Sequence, residues 1–310
     1  MRAAEDALVE LGKTLAREGY HFITPTPETH RRVVARRTHA RDLRDVFGWS
    51  LPFARALLPT AMLALLRAAD ALDEAGEQLR SRVRFSSLAE SLYVHSAYPT
   101  RERASVFFGP DTYRFCSFVA RAAPAARTVV DIGCGSGAGG LVAARVSGAL
   151  RLVLADINPS ALAHARVNAQ LARAAGTTPG ALVVETPTSD VLHGVAGELD
   201  LIVANPPYMR DEQARAYRDG GGRFGEALSV RIVREALLRL APGGTLLLYT
   251  GVAIVDGQDV FRAAIAELLT DHTHRYEELD PDVFGEQLEQ PGYEHVERIA
   301  AVGLTVRRLS

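Results

Sequence analysis

With 310 residues, 47% of them hydrophobic and 23% charged, the chain has the composition of an ordinary globular protein, with material for one large or two modest domains. A net charge of −2 excludes a global electrostatic pull toward nucleic acid or an anionic membrane. Two cysteines, Cys116 and Cys134, are too few for a disulfide framework, and no Cys/His spacing suits zinc, so no metal is expected.

Met1 to Tyr20 reads as a polar amphipathic helix with Leu8, Leu11 and Leu15 on one side, and not as the apolar core of a signal peptide. Thr24-Pro25-Thr26-Pro27 and Ser50-Leu51-Pro52 punctuate the helices that follow. Arg31, Arg32, Arg36, Arg37, Arg41 and Arg44 would be partly one-sided on a helix, diluted by Asp42 and Asp45; a solvated face is the expected reading. The most apolar run, Ala56 to Leu66, contains Pro59 and lies between Arg55 and Arg67. It is too short to span a bilayer, so a buried helix is expected there, continuing toward Leu72. Residues 1–90 are therefore expected to form a helical domain, and the protein to be soluble and cytoplasmic, without a membrane partner. Ser91 to Tyr98 and Ala104 to Phe108, rich in aromatic and β-branched residues, predict a β-hairpin linker over 91–108.

From residue 109 to 310 the pattern alternates. Strands are expected at Thr128–Ile132, Leu152–Ile157, Ala181–Glu185, Asp200–Ala204 and Thr245–Tyr249. Helices are expected at Ala138–Val146, Ser160–Ala174, Ala227–Leu240 and Val260–Leu269. Asn158 stands as N-cap and Pro159 at the first helical position of the second of these. His274–Glu278 and Ala300–Arg307 supply two final strands with no helix between them, hence an antiparallel edge. The whole specifies an α/β, doubly wound, mostly parallel sheet.

A glycine-rich loop, Gly133-Cys134-Gly135-Ser136-Gly137, follows the first of these strands, where doubly wound sheets bind ligands. Gly135, Gly137 and Gly140 formally satisfy the G-x-G-x-x-G of a nicotinamide dinucleotide site, with Asp156 placed as its ribose ligand. Asp131 argues for S-adenosylmethionine instead. A negative charge there would repel a pyrophosphate but suits an ammonium and a sulfonium. Asp190, after the third strand, could accept the adenine amine.

Asn205-Pro206-Pro207-Tyr208 follows the strand ending at Ala204, on the same sheet edge. Two prolines present carbonyls without neighbouring N–H donors, and the first biases Asn205 toward an extended backbone. The Asn205 carboxamide oxygen and the Pro206 carbonyl could each hold one hydrogen of a planar nitrogen, with the Tyr208 ring packed against the acceptor. Catalysis is then chiefly positioning.

Asp131-Ile132-Gly133-Cys134-Gly135-Ser136-Gly137, Asp156-Ile157-Asn158-Pro159 and Asn205-Pro206-Pro207-Tyr208 together resemble a class I S-adenosylmethionine-dependent methyltransferase. The resemblance runs from about Tyr98 to Gly251 and is to the small-domain subgroup that includes the release-factor glutamine methyltransferases. It implies a seven-stranded Rossmann-like sheet with S-adenosylmethionine as cofactor. It also implies cofactor contacts at Gly133, Gly135, Asp156 and Asp190, flanked by Asp131, Gly137, Ile157, Asn158, Val191 and Asn205. Asp219-Gly220-Gly221-Gly222-Arg223-Phe224-Gly225 is similar to that group's glycine-bearing substrate loop, and its flexibility suits a lid. The implied partner is a protein bearing a glutamine side chain. A nucleic-acid base, a small molecule and a non-catalytic cofactor-binding module remain open, although the acidic segment from Asp271 to Ser310 does not suit broad phosphate contact.

Overall fold

The computed structural model describes residues 2–100, 102–210 and 218–309. The N-terminal part contains α1 (Arg2–Arg17), α2 (Pro27–Val34), α3 (Leu43–Phe47), β1 (Phe53–Ala54), α4 (Thr60–Ala68), β2 (Leu72–Ala75) and β3 (Gln78–Ser81). Their ends are set locally: the Thr26 hydroxyl caps α2 by accepting from Thr29 N, and Asp42 caps α3 by accepting from Asp45 N. The expected helical domain is in fact mixed, because β1, β3 and β2 form an antiparallel sheet. Leu72, expected on a helix, begins β2. The chain reverses after Ala75 through Gly76, whose φ of 62° is a hairpin-turn conformation that leucine spacing does not announce. The arginines of 31–44 are spread over α2, a turn and α3 rather than along one helix.

The hairpin lies upstream of its expected place. It consists of β4 (Val83–Leu88) paired antiparallel with β5 (Ser91–Ser96). Ala104–Phe108 forms no strand. The Ser96 hydroxyl takes the Val106 N–H at 2.8 Å, while Ser96 N donates to Val106 O at 3.1 Å, so a side chain replaces one rung of the expected ladder. Phe108 then buries beside Tyr93 and stacks on His95.

The remaining elements are α5 (Pro110–Ala122), β6 (Thr128–Ile132), α6 (Ala138–Ser147), β7 (Arg151–Ala155), α7 (Pro159–Ala174), β8 (Val183–Glu185), β9 (Leu199–Ala204), α8 (Ala227–Arg239), β10 (Leu240–Val255), β11 (Gln258–Asp259), α9 (Val260–Ile265), β12 (Thr273–Asp280) and β13 (Arg298–Arg307). The sheet runs β12-β13-β10-β9-β6-β7-β8, filling the seven expected positions, with the short β11 pairing β10. β8, β7, β6, β9 and β10 are parallel; β13 and β12 form the expected antiparallel edge. β10 extends well past Tyr249, and the helix expected to reach Leu269 ends at Ile265.

Successive residues of the central strands face opposite ways and both faces are covered, which explains their unbroken apolar runs. Val129, Leu201 and Leu247 pack with Phe115, Leu141 and Leu162 from α5, α6 and α7. Val130, Ile202 and Leu246 pack with Ile232, Val233, Phe261 and Ile265 from α8 and α9. A third core, around Leu11, Phe47, Leu66 and Phe85, is closed by Val167 and Leu171 of α7. Among the described residues, no helix is long and apolar enough to cross a membrane.

Candidate active site

Register brings the sequence motifs together. Ile132 pairs with Ala155 on one side and with Ala204 on the other. The next residues, Gly133, Asp156 and Asn205, therefore start three loops side by side at the carboxyl edge of the sheet. This is the point where strand order reverses, and where open α/β sheets take their ligands. Every residue proposed from sequence as a contact, apart from Gly137, lines one cavity there.

Gly133, Gly135 and Gly137 all adopt left-handed backbone, with φ of 65°, 52° and 76°. A Cβ on Gly133 or Gly135 would meet no protein atom and would instead project into open space, so these two positions keep the floor of the cavity low. Gly137 serves a different purpose: it leads into α6, and a Cβ there would press on Leu154 and Ala165.

The acids are arranged by backbone donors. Asp131 is buried and accepts from Gly140 N at 2.7 Å; burial pushes its carboxyl up to about 7, against the lowering effect of that hydrogen bond. Asp156 accepts from Gly135 N at 2.9 Å and from Asn158 N at 2.8 Å, and burial raises its carboxyl as well. Asn158 caps α7 through Ser160 N and donates its amide to Ala104 O, tying the segment after the hairpin to the cavity rim. Ile157 is 58% exposed, an apolar surface offered beside the acids.

Asp190 is ion-paired. Both its oxygens are held by the Arg231 guanidinium at 2.8 and 2.9 Å, and this hydrogen bonding lowers its carboxyl. It lines the rim of the cavity in that state. Next to it, Val191 is buried with a φ of 50°.

Asn205-Pro206-Pro207-Tyr208 forms the opposite wall. The Tyr208 ring lies on Gly251 of β10, where a Cβ would sit 2.4 Å from ring carbons, and its edge meets Phe284 at 6.1 Å between centroids. Its hydroxyl is buried with no hydrogen-bond partner among the described residues. The glycine-bearing loop is fastened to this wall: Gly220 N donates to Met209 O and Met209 N donates to Arg218 O. A Cβ on Gly220 would fall 2.5 Å from Pro207 O, and one on Gly225 2.2 Å from Tyr208 O. These glycines permit backbone-to-backbone packing.

Sequence reasoning missed the outer wall. Tyr293 accepts from Arg210 N at 2.9 Å, and Gln287 donates to Arg210 O at 3.3 Å, so the segment between β12 and β13 folds over the tetrapeptide. Phe284 in that segment lines the cavity in a left-handed conformation, φ 57°. Asp111, at the start of α5, also lines it; burial pushes its carboxyl up to about 6, and Tyr249 and Arg114 bond it. No motif could have shown these, since each depends on segments remote in sequence.

The lining fits S-adenosylmethionine: a glycine floor without side chains, two buried acids for cationic and hydroxyl groups, and an exposed isoleucine for an aromatic base. Residues 116–254 match the family described as methyltransferase small domain. The release factor glutamine methyltransferase of Mycolicibacterium smegmatis is 32% identical over 135 residues, covering 41% of this chain and 46% of that protein. The corresponding protein of Deinococcus radiodurans is 33% identical over 130 residues, 39% of this chain and 44% of its own length. Ribosomal RNA small subunit methyltransferase C of Chromohalobacter salexigens is 37% identical over 125 residues, 40% of this chain and 32% of that protein. The chain thus spans less than half the length of each of these relatives. The stretch that matches this family model, residues 116–254, carries both the glycine loop and the tetrapeptide.

Proposed function

We propose that the protein is an N-methyltransferase acting on a planar amide or amine nitrogen, in the first place the side-chain amide of a glutamine in a protein substrate. The reading rests on one observation above others: the register of β6 and β9 starts the glycine floor at Gly133 and the acceptor wall at Asn205 next to each other.

Bound S-adenosylmethionine supplies a methyl group made electrophilic by its sulfonium. The residues of the chain hold the reactants. Asp131 and Asp156 would take the cationic and hydroxylated parts of the cofactor, and Ile157 and Val191 would flank its base. The Asn205 carboxamide oxygen and the Pro206 carbonyl accept the two N–H hydrogens of the substrate amide. That fixes a delocalised lone pair toward the methyl carbon, and orientation of this kind supplies much of the rate. Transfer of that methyl group to the nitrogen would release the sulfur as a neutral thioether, and the nitrogen would then lose one proton to water, with no base required of the chain. Tyr208 and Phe284 pack on the substrate side.

One observation favours protein over nucleic acid: among the arginines of 31–44, Arg31 and Arg32 pair with Glu28 and Arg37 pairs with Asp45. The similarity to a ribosomal RNA enzyme keeps an exocyclic base amine as the second reading. Methyl-labelled cofactor incubated with protein and cell extract tests both: label removed by protease and stable to nuclease is expected, and the opposite pattern would move the proposal to nucleic acid. Cofactor binding without any label transfer would leave only a binding module.

A further inference from the structure

We propose that a second, smaller cavity, between α2, the β4–β5 hairpin and the segment Phe107–Pro110, is a binding site for a small monoanion, a carboxylate group or a halide, held by the Arg84 guanidinium and the His30 imidazole. Both side chains line this cavity. Arg84 is 97% buried by its 3% exposure, and its Nε and one terminal nitrogen are buried with no hydrogen-bond partner among the described residues. Buried charges in folded proteins are ordinarily paired, because an isolated one forfeits its hydration. No described carboxylate forms an ion pair with this one, and the Phe22 ring face lies 5.4 Å from the guanidinium carbon.

The surrounding polar groups are already committed. Tyr20 donates its hydroxyl to Phe85 O, and Tyr113 accepts from Thr24 N. His95, the cross-strand partner of Arg84, has Nε2 on the Ser86 hydroxyl and Nδ1 on Ser96 O. What remains unspent is on Arg84 and on His30, whose Nδ1 is likewise buried without a partner among the described residues. Burial brings the Arg84 guanidinium down to about 10, so it stays charged at neutral pH. Burial and the neighbouring Arg84 push His30 down to about 4, so it remains a neutral ring with one N–H to give. A cationic fork and a neutral donor facing one cavity make an anion site.

Size narrows the ligand. The cavity is small, about 20 Å³, room enough for a chloride or a single carboxylate head. An open groove shares Pro27, His30 and Tyr98 with it and gives a route from solvent. Phe107 lines both this cavity and that of the glycine loop, so an anion here sits behind a wall of the methyltransferase site.

Thermal unfolding of the whole chain at constant ionic strength, replacing a bulky sulfonate salt by formate or by chloride, tests the site. A saturable rise in the midpoint of several degrees is expected by about 100 mM, because an ion bound to the folded state alone stabilises it in proportion to ln(1 + [L]/Kd). Broadening of the ³⁵Cl resonance should accompany it, reversed by formate if the carboxylate is the better ligand and resistant to formate if the halide is. Arg84→Met should abolish both responses. Should that variant not fold, His30→Phe takes its place and should weaken the response by about tenfold. A wild-type midpoint indifferent to both anions, or a response that survives unchanged in the variant that folds, would overturn the proposal.

Discussion

At the level of single residues the site separates two kinds of acid. Asp156 spends its oxygens on the backbone of the loop it shapes, whereas Asp131 combines one backbone bond with deep burial. The consequence is a pH effect with a definite sign. The folded carboxyl of Asp131 titrates near 7, well above its unfolded value, so the folded state holds a proton the unfolded chain has lost. Stability of the ligand-free protein from this group is full below pH about 4 and is lost as pH rises through about 7. Asp131→Asn should remove that dependence, and denaturant titrations at pH 5 and pH 8 would show the two proteins converging and then crossing. A cation bound beside the same carboxyl favours its charged form, so affinity for S-adenosylmethionine should increase between pH 6 and 7.5, by about tenfold, in wild type and not in Asp131→Asn; calorimetry at the two pH values reads this. Asn205→Ala tests the other wall. Transfer should fall by about 10²-fold or more while cofactor affinity changes less than about threefold, since one positioned acceptor is lost in the transition state. Retained transfer would remove Asn205 from the mechanism.

At the level of elements, the loop after the tetrapeptide acts by contact. Gly225 has φ 99°, and a Cβ there would fall 2.2 Å from Tyr208 O, so no side chain fits. Gly225→Ala should therefore push the loop off the acceptor wall. The expected result is a loss of transfer by at least about tenfold and of stability by about 1–3 kcal/mol, with cofactor affinity unchanged. Equal losses in transfer and cofactor affinity would mean that the loop supports the glycine floor instead. Elements of this sort mark how far the sequence could be read. β6, β7 and β9 were legible because strands covered on both faces need unbroken apolar runs, and α7 because Asn158 and Pro159 announce its start. The second linker strand was misread because Val106 and Phe108 have the composition of a strand, while the Ser96 hydroxyl that displaces the ladder is ten residues away. Arg231 could not be assigned to Asp190, 41 residues distant, without knowing that α8 passes the end of the third strand.

At the level of the whole molecule, two of the three cores meet at α7, one through Leu162 and Ala165 and the other through Val167 and Leu171, and Asn168 on that helix is the junction. Fully buried, it accepts from Val94 N at 2.7 Å and donates to Val94 O and Ser136 O at 2.9 and 2.8 Å. One amide thus joins the hairpin to the glycine loop. Asn168→Ala would leave a backbone N–H and two carbonyls unmet in the interior, at a cost of about 3 kcal/mol or more. Chemical denaturation should register that loss, and cofactor affinity should fall with it, because Ser136 belongs to the cavity floor. Leu171→Ala, in the same helix but away from the loop, should match the stability loss without the affinity loss.

The Tyr208 hydroxyl, enclosed and without a partner among the described residues, has a thermodynamic corollary. A buried phenol without a protein partner costs the resting protein free energy. Tyr208→Phe should accordingly unfold at a higher temperature than wild type, by a margin of about 1 kcal/mol, while turning over more slowly if the hydroxyl finds its partner only in the occupied site. Gained durability coupled to lost turnover would identify this wall as a place where selection has kept a sacrifice of stability in the interest of chemistry.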